Sequence, residues 1–285
     1  MAAPSNPLSG INAFVTAGGN KIGAQTDCTL NLPAEVEEIA TKNDFGWQES
    51  LPSVTEWSLE TGNLLKDSAN AEPFLSNDQA DRTSVAVGGT NIPKLTSVDV
   101  TLTQEVERVS THSDGLTQSL YLGERNMELS IEGLYLDPAA SSSQIQTLLD
   151  ARSGANRLSL VVTIDQFTLS GDFSLGDFTP MDGAGAEASP ISFSATFNSA
   201  GEITTGGTDL DASVMTAFNS FFSQTKTTSL LELHENGSAI DGSTYYEGDG
   251  YFTEVSFTAE AESAAEMSAT IDGDRAITTA TVSTT

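Results

Sequence analysis

One cysteine, two histidines and eleven basic residues in a chain of 285 leave little room for several chemistries. A lone Cys28 excludes a disulfide within the chain. With only His112 and His234 beside it, a His/Cys zinc centre has too few ligands. Lys and Arg number 11 against 40 Asp and Glu, a formal charge of −29, so the basic footprint of a nucleic-acid binder is missing. Such a chain repels phosphate, at short range, because the Debye length is about 8 Å at physiological salt. No apolar run approaches the roughly 20 residues that cross a bilayer. The opening Met-Ala-Ala-Pro-Ser-Asn-Pro lacks the basic and apolar regions of a signal peptide, so a soluble chain made in the cytosol is expected.

Catalytic patterns are equally scarce. There is no Gly-x-Ser-x-Gly elbow and no Walker-type phosphate loop. His112-Ser113-Asp114 holds the residue types of a hydrolase triad, but neighbours in a loop do not have triad geometry. Asp272-Gly273-Asp274 and Glu247-Gly248-Asp249 read as turns rather than cation loops. Aromatics make up only 7%, too few to suggest the lined cleft of a carbohydrate-active enzyme. No enzyme, catalytic residue, metal or cofactor is expected.

What the chain does contain is alternation. Val98 to Thr111 puts Val100, Leu102 and Val106 on one side and Asp99, Thr101, Thr103, Glu105 and Glu107 on the other, the pattern of a half-buried strand. The polar row carries three carboxylates and no base. The pattern occurs twice: Asp27 and Leu30, then Glu35, Val36, Glu37 and Ile39, have the same shape. Asp27 to Asp99 is an offset of 72 and Glu35 to Glu105 one of 70, which reads as two extra residues, Pro33-Ala34, in the first copy. Two is the strand period, so such an insertion leaves the faces unchanged.

The repeat extends further. The glycine hairpins at Gly18-Gly19 and Gly88-Gly89 are offset by 70, as are Ile22 and Ile92. Glu56-Trp57-Ser58-Leu59-Glu60 answers Glu128-Leu129-Ser130-Ile131-Glu132 at 72. Later segments repeat too. Helix signals occur after Asp137-Pro138 and again over 211–224, where Val214, Phe218, Phe221 and Phe222 mark a core face. Ser194-Ala195-Thr196 answers Ser268-Ala269-Thr270 at 74, and Gly171 and Phe173 answer Gly250 and Phe252 at 79. The order is front half, front half, back half, back half. Short connections favour nesting over intertwining. The expected organisation is a flexible arm at 1–11, an outer domain of 12–66 plus 209–279, a linker at 67–83, an inner domain at 84–206 and a tail at 280–285.

A glycine hairpin, a strand ending in Glu-Val-Glu, a loop, a Trp-Ser-Leu-Glu or Leu-Ser-Ile-Glu strand, a helix and a Ser/Thr-rich closing strand such as Ile191 to Phe197 follow one another in both copies. In this order the chain, from about Phe14 to Thr279, resembles the major tail tube proteins of long-tailed bacteriophages. The resemblance implies a mainly β fold: two β-sandwich or split-barrel domains, each with a flanking helix, assembling into a ring-forming β-barrel. It implies a structural virion protein whose rings stack into a hollow tail tube through which DNA is ejected. Two copies per chain, where the family has one, imply a trimeric ring of pseudo-sixfold symmetry. Partners would be the chain itself, the tape measure protein and the tail terminator and distal tail proteins, with double-stranded DNA passing transiently and no membrane. The location would be the virion tail, assembled in the host cytoplasm.

A bore that passes DNA must not hold it, and basic residues in its wall would do so by counterion release. The lumen candidates are therefore Asp27, Glu35, Glu37, Glu56 and Glu60, with Asp99, Glu105, Glu107, Glu128 and Glu132. The loops at 42–53 and 112–122 and the arm are expected to make contacts between rings. Two other readings fit part of the pattern: another β-rich virion or surface module (baseplate, fibre or adhesin domain), and acidity that serves only solubility or a saline habitat.

Overall fold

The computed structural model describes residues 13–22, 24–39, 49–64, 83–109, 118–134, 138–154, 156–182, 191–207, 212–235, 238–260 and 264–283. The expected arm (1–11) and most of the expected linker and loops, including His112, lie outside them. So do the side chains of Glu35 and Glu37.

The fold is mainly β, as the alternation predicts. The first strands are β1 (Ala13–Ala17), β2 (Asn20–Lys21), β3 (Ala24–Asn31), β4 (Ala34–Ile39), β5 (Glu49–Thr55) and β6 (Ser58–Leu64). After them come β7 (Thr83–Val87), β8 (Thr90–Asn91), β9 (Leu95–Val109), β10 (Ser119–Leu134) and helix α1 (Pro138–Gly154). β11 (Leu158–Ile164), β12 (Phe167–Asp182), β13 (Ser192–Ser199) and β14 (Thr204–Gly207) lead to helix α2 (Ala212–Ser223). The chain ends with β15 (Thr227–Glu235), β16 (Ser238–Ala239), β17 (Thr244–Glu260), β18 (Glu266–Gly273) and β19 (Thr278–Thr281).

In each unit, strands from the front half pair with strands from the back half. β1 pairs with β15, and β6 with β18, while β7 pairs with β11 and β10 with β13. Thus strands of 13–64 pair with strands of 227–281, and β7 to β14 pair among themselves except that β9 also pairs with β17. Each unit is a two-layer sandwich whose layers share one long bent strand. β17 runs with β15 and β19 over its first half and with β18 over its second; β12 does the same with β11 and β14, then β13. Register breaks at Phe252/Glu254 and Leu175/Phe178 mark where each strand changes layer, the work of a β-bulge. The layers enclose a core that includes Trp57, Leu59, Phe252, Phe257 and Ile271 in one unit and Leu102, Met127, Leu160, Phe173 and Phe197 in the other.

The hairpin turns at Gly18-Gly19 and Gly88-Gly89 all have positive φ (57°, 80°, 57°, 83°), which explains the recurrence of glycine there. In α2 the apolar face is buried as its spacing indicates: Val214, Phe218 and Phe221 are at most 1% exposed. Phe218 meets Phe167 of the other unit at 5.3 Å between ring centroids, and Arg125 donates to the Phe222 carbonyl at the helix C-terminus (2.7 Å). Helix α2 therefore packs against both units.

The strand registers correct the repeat. Thr29 opposes Glu60, which opposes Thr270; Asp99 opposes Ser130, which opposes Thr196. Since Thr196 and Thr270 are counterparts at 74, Thr29 matches Asp99 and Glu60 matches Ser130, both at 70 (99 − 29 and 130 − 60). The first copy holds no two-residue insertion before Glu35, and Asp27 matches Ser97. Similarly, Gly250 opposite Thr227 and Phe173 opposite Leu158 make those two residues counterparts, an offset of 77 rather than 79 (250 − 173). Matching carboxylates by letter misled because exposed residues are not fixed by packing, whereas core positions are.

Candidate polar face

The two units join edge to edge. The second half of β17 pairs antiparallel with β9, from Glu254 opposite Thr103 to Glu260 opposite Ser97. This makes one continuous antiparallel sheet of eight strands, in the order β3, β6, β18, β17, β9, β10, β13, β12. One face packs on the core. The other presents the alternate residues.

Those residues form rows across the strands. One runs Asp27, Gly62, Ser268, Ser256, Thr101, Glu128, Asn198; the next runs Thr29, Glu60, Thr270, Glu254, Thr103, Asn126. On the other side of the first lie Glu266, Thr258, Asp99, Ser130, Thr196, and then Glu260, Ser97, Glu132, Ser194, Thr179. In these rows no carboxylate stands directly opposite another; each faces Ser, Thr, Asn or Gly, apart from Glu266, which also faces Leu64. Like charges directly opposite are destabilising, so hydroxyl spacing lets the sheet carry many negative charges. The rows contain no Lys or Arg.

Local bonds hold the face in place. Asp27 accepts from the Gly62 amide (2.8 Å), and a Cβ at Gly62 would sit 2.5 Å from the Asp27 carboxylate, so the absent side chain is what seats it. Ser97 donates to Asp99 (2.9 Å), Asn31 to Glu60 (3.3 Å), and Ser256 and Ser268 share a 2.6 Å bond. A shallow concavity of about 600 Å³ over β3, β6, β18 and β17 is lined by Asp27, Glu60, Glu254 and Glu266 together with Ser and Thr residues. Among the described residues, no group of three or more His, Cys, Asp or Glu is arranged to hold a metal ion.

Of the lumen candidates, Asp27, Glu60, Asp99, Glu128 and Glu132 lie in these rows. Glu56 precedes β6, is half-buried and meets Arg108 at 3.4 Å. Glu105 and Glu107 are exposed on the part of β9 beyond the seam, where β9 and β10 project as a two-stranded arm. Val106 is 36% exposed there rather than aligned with Val100 and Leu102 in the core. Glu35 and Glu37 lie in β4, which among the described residues pairs with β5 and not with the large sheet. The rows also hold Glu254, Glu260 and Glu266, missed in the sequence because their strands were matched by Ser-Ala-Thr letters; the alternation of β17 and β18 carries the signal.

The arm locks the seam. Arg108 donates to Asp272 (2.9 Å) and to the Gly273 carbonyl (3.2 Å). Asp274, 6% exposed, accepts from the Leu120 amide (2.9 Å) and pairs with Lys226, and the Arg275 amide donates to the Gln118 carbonyl (3.0 Å). Asp272 and Asp274 thus serve as structural acceptors. The hydrogen bond from Lys226 to Asp274 holds the ammonium above its ordinary pKa, against the opposing effect of burial. Burial, then the neighbouring Asp27, pushes the Cys28 thiol up.

No protein-family profile and no curated protein matches the chain. Similar solved structures include a chain of the anti-feeding prophage baseplate (11% identity, TM-score 0.36), covering 45% of this chain and 93% of that one. A chain of the anti-feeding prophage tube-terminating cap gives 9% and 0.37, covering 45% and 89%. A chain from the tail of a gene transfer agent particle, computed with C6 symmetry, gives 14% and 0.24, covering 70% and 98%.

Proposed function

We propose that the chain is a structural, ring-forming subunit of a phage-type tail tube, with the polar face of the eight-stranded sheet lining the bore. The observation that carries this reading is the continuity of that face across both units, mostly carboxylates and hydroxyls with no Lys or Arg in its rows. A wall of this kind gives a passing polyanion nothing to bind, because phosphate affinity comes from cation contacts that release counterions. The nested pairing of front and back halves supports two tube-type domains per chain, 12–66 with 209–279 and 84–206.

The sheet is open, with β3 at one edge and β12 at the other, and open edges invite pairing. Three copies joined edge to edge supply twenty-four strands. At a spacing of about 4.8 Å and a tilt of about 40°, such a barrel measures about 48 Å across between backbones, wide enough for a nucleic-acid duplex and the side chains around it. A trimer is the count that gives six units per ring. The tail partners of such a tube are those the resemblance implies: tape measure, terminator and distal tail proteins.

Negative-stain microscopy of the purified protein, in a salt series that screens its charge, tests the reading. Hollow rings or tubes are the expected result; monomeric globular particles at every salt and concentration overturn it.

A further inference from the structure

The seam inside the chain is a template for a seam between chains. β17 is the counterpart of β12, and β9 of β3. Within the chain β17 pairs with β9. Among the described residues, neither the outer edge of β3 nor that of the second half of β12 has a strand beside it. The free edges also expose what the internal seam buries. Leu32, just after β3, is 53% exposed, while its counterpart Leu102 is 1% exposed. Met181, on β12, is 54% exposed. Phe178 is only partly buried, while its counterpart Val255 is fully so.

Resting on the ring-forming reading, we infer that β12 of one chain pairs antiparallel with β3 of a second copy in the register of the internal seam. Ser256 opposite Thr101 becomes Thr179 opposite Asn31, and Val255 opposite Leu102 becomes Phe178 opposite Leu32. The pairing brings the apolar Phe178 and Leu32 together on the core side, and the hydroxyl and amide of Thr179 and Asn31 onto the polar face. The internal lock has no equivalent at this seam: the positions matching Arg108, Asp272 and Asp274 hold Glu38, Asn198 and Ala200, which cannot form that ion pair. The seam between chains is therefore the weaker one, built from strand pairing and apolar contact.

The test is cross-linking in full-length protein with Cys28→Ser. Thr179→Cys with Asn31→Cys is compared with Thr179→Cys with Thr29→Cys, a pair displaced by two residues on the same face. Each is oxidised with diamide under assembly conditions, with the same sample imaged. The first pair is expected to shift the protein on a non-reducing gel from monomer to trimer, with the second remaining largely monomeric. Hydrogen exchange at 27–32 and 177–182 is expected to slow together on assembly. Rings that form with no cross-link at Thr179/Asn31, or with a stronger one at Thr179/Thr29, overturn the register while leaving the ring. If the unsubstituted protein forms no rings, the ring reading and this inference fall together.

Discussion

Single residues decide how tightly the two units are held. Asp274 is buried and answers two donors from elsewhere in the fold, the Leu120 amide and Lys226. Asp274→Ala leaves that amide and the ammonium without their acceptor, so a loss of about 1–3 kcal/mol is expected by denaturant titration. Gly273 touches Trp57 so closely that a Cβ would sit 2.1 Å from the indole. Gly273→Ala is expected to cost roughly 1–3 kcal/mol by overpacking, with a lower Tm. Cys28 and Lys226 both have folded-state pKa values above their ordinary ones. Their contributions are complete below the unfolded values and fade as pH rises through the folded ones, so stability measured against pH should hold through neutrality and fall on the alkaline side. Alkylation of Cys28 in the folded protein should accordingly stay slow until the pH exceeds the ordinary thiol range. The alternating stretch Glu56 to Glu60 that carries Trp57 was legible in the sequence; the glycine bed of Trp57 was not, because Gly248 and Gly273 come from strands some 200 residues away.

At the level of strands and helices, alternation and turn glycines were enough to identify many of the strands and both glycine hairpins. The buried face of strands such as β9 over Val98 to Leu102 came through because a period of two is robust. The register between copies did not, because a two-residue slip preserves the alternation and so looks the same in the pattern. The seam between β17 and β9 was invisible for a different reason: edge residues in a strand look alike whether or not another strand covers them. The arm beyond the seam rests on Arg108, whose guanidinium bridges Asp272 and Glu56. Arg108→Ala is expected to leave the sandwiches folded while freeing the arm. Hydrogen exchange should quicken at 105–109 and 119–122, and unchanged protection there would show that the ion pair contributes nothing.

Across the whole molecule, the charge of −29 is not spread evenly, because four rows of the eight-stranded face collect carboxylates and hold no Lys or Arg. Composition alone gave the sign of the charge; only the sheet revealed that six of its eight strands carry it on one surface. Placing lysines there reverses its character. Assembled protein carrying Asp99→Lys, Glu128→Lys and Glu132→Lys is expected to retain double-stranded DNA at low salt and release it as salt rises, where unsubstituted tubes retain none. The most direct measurement of the central claim is a cryo-EM reconstruction of the assembled protein. The account predicts three chains per ring with Asp27, Glu60, Asp99, Glu128 and Glu132 facing the bore; a reconstruction with those side chains on the outer wall, or with lysines and arginines lining the channel, would contradict it.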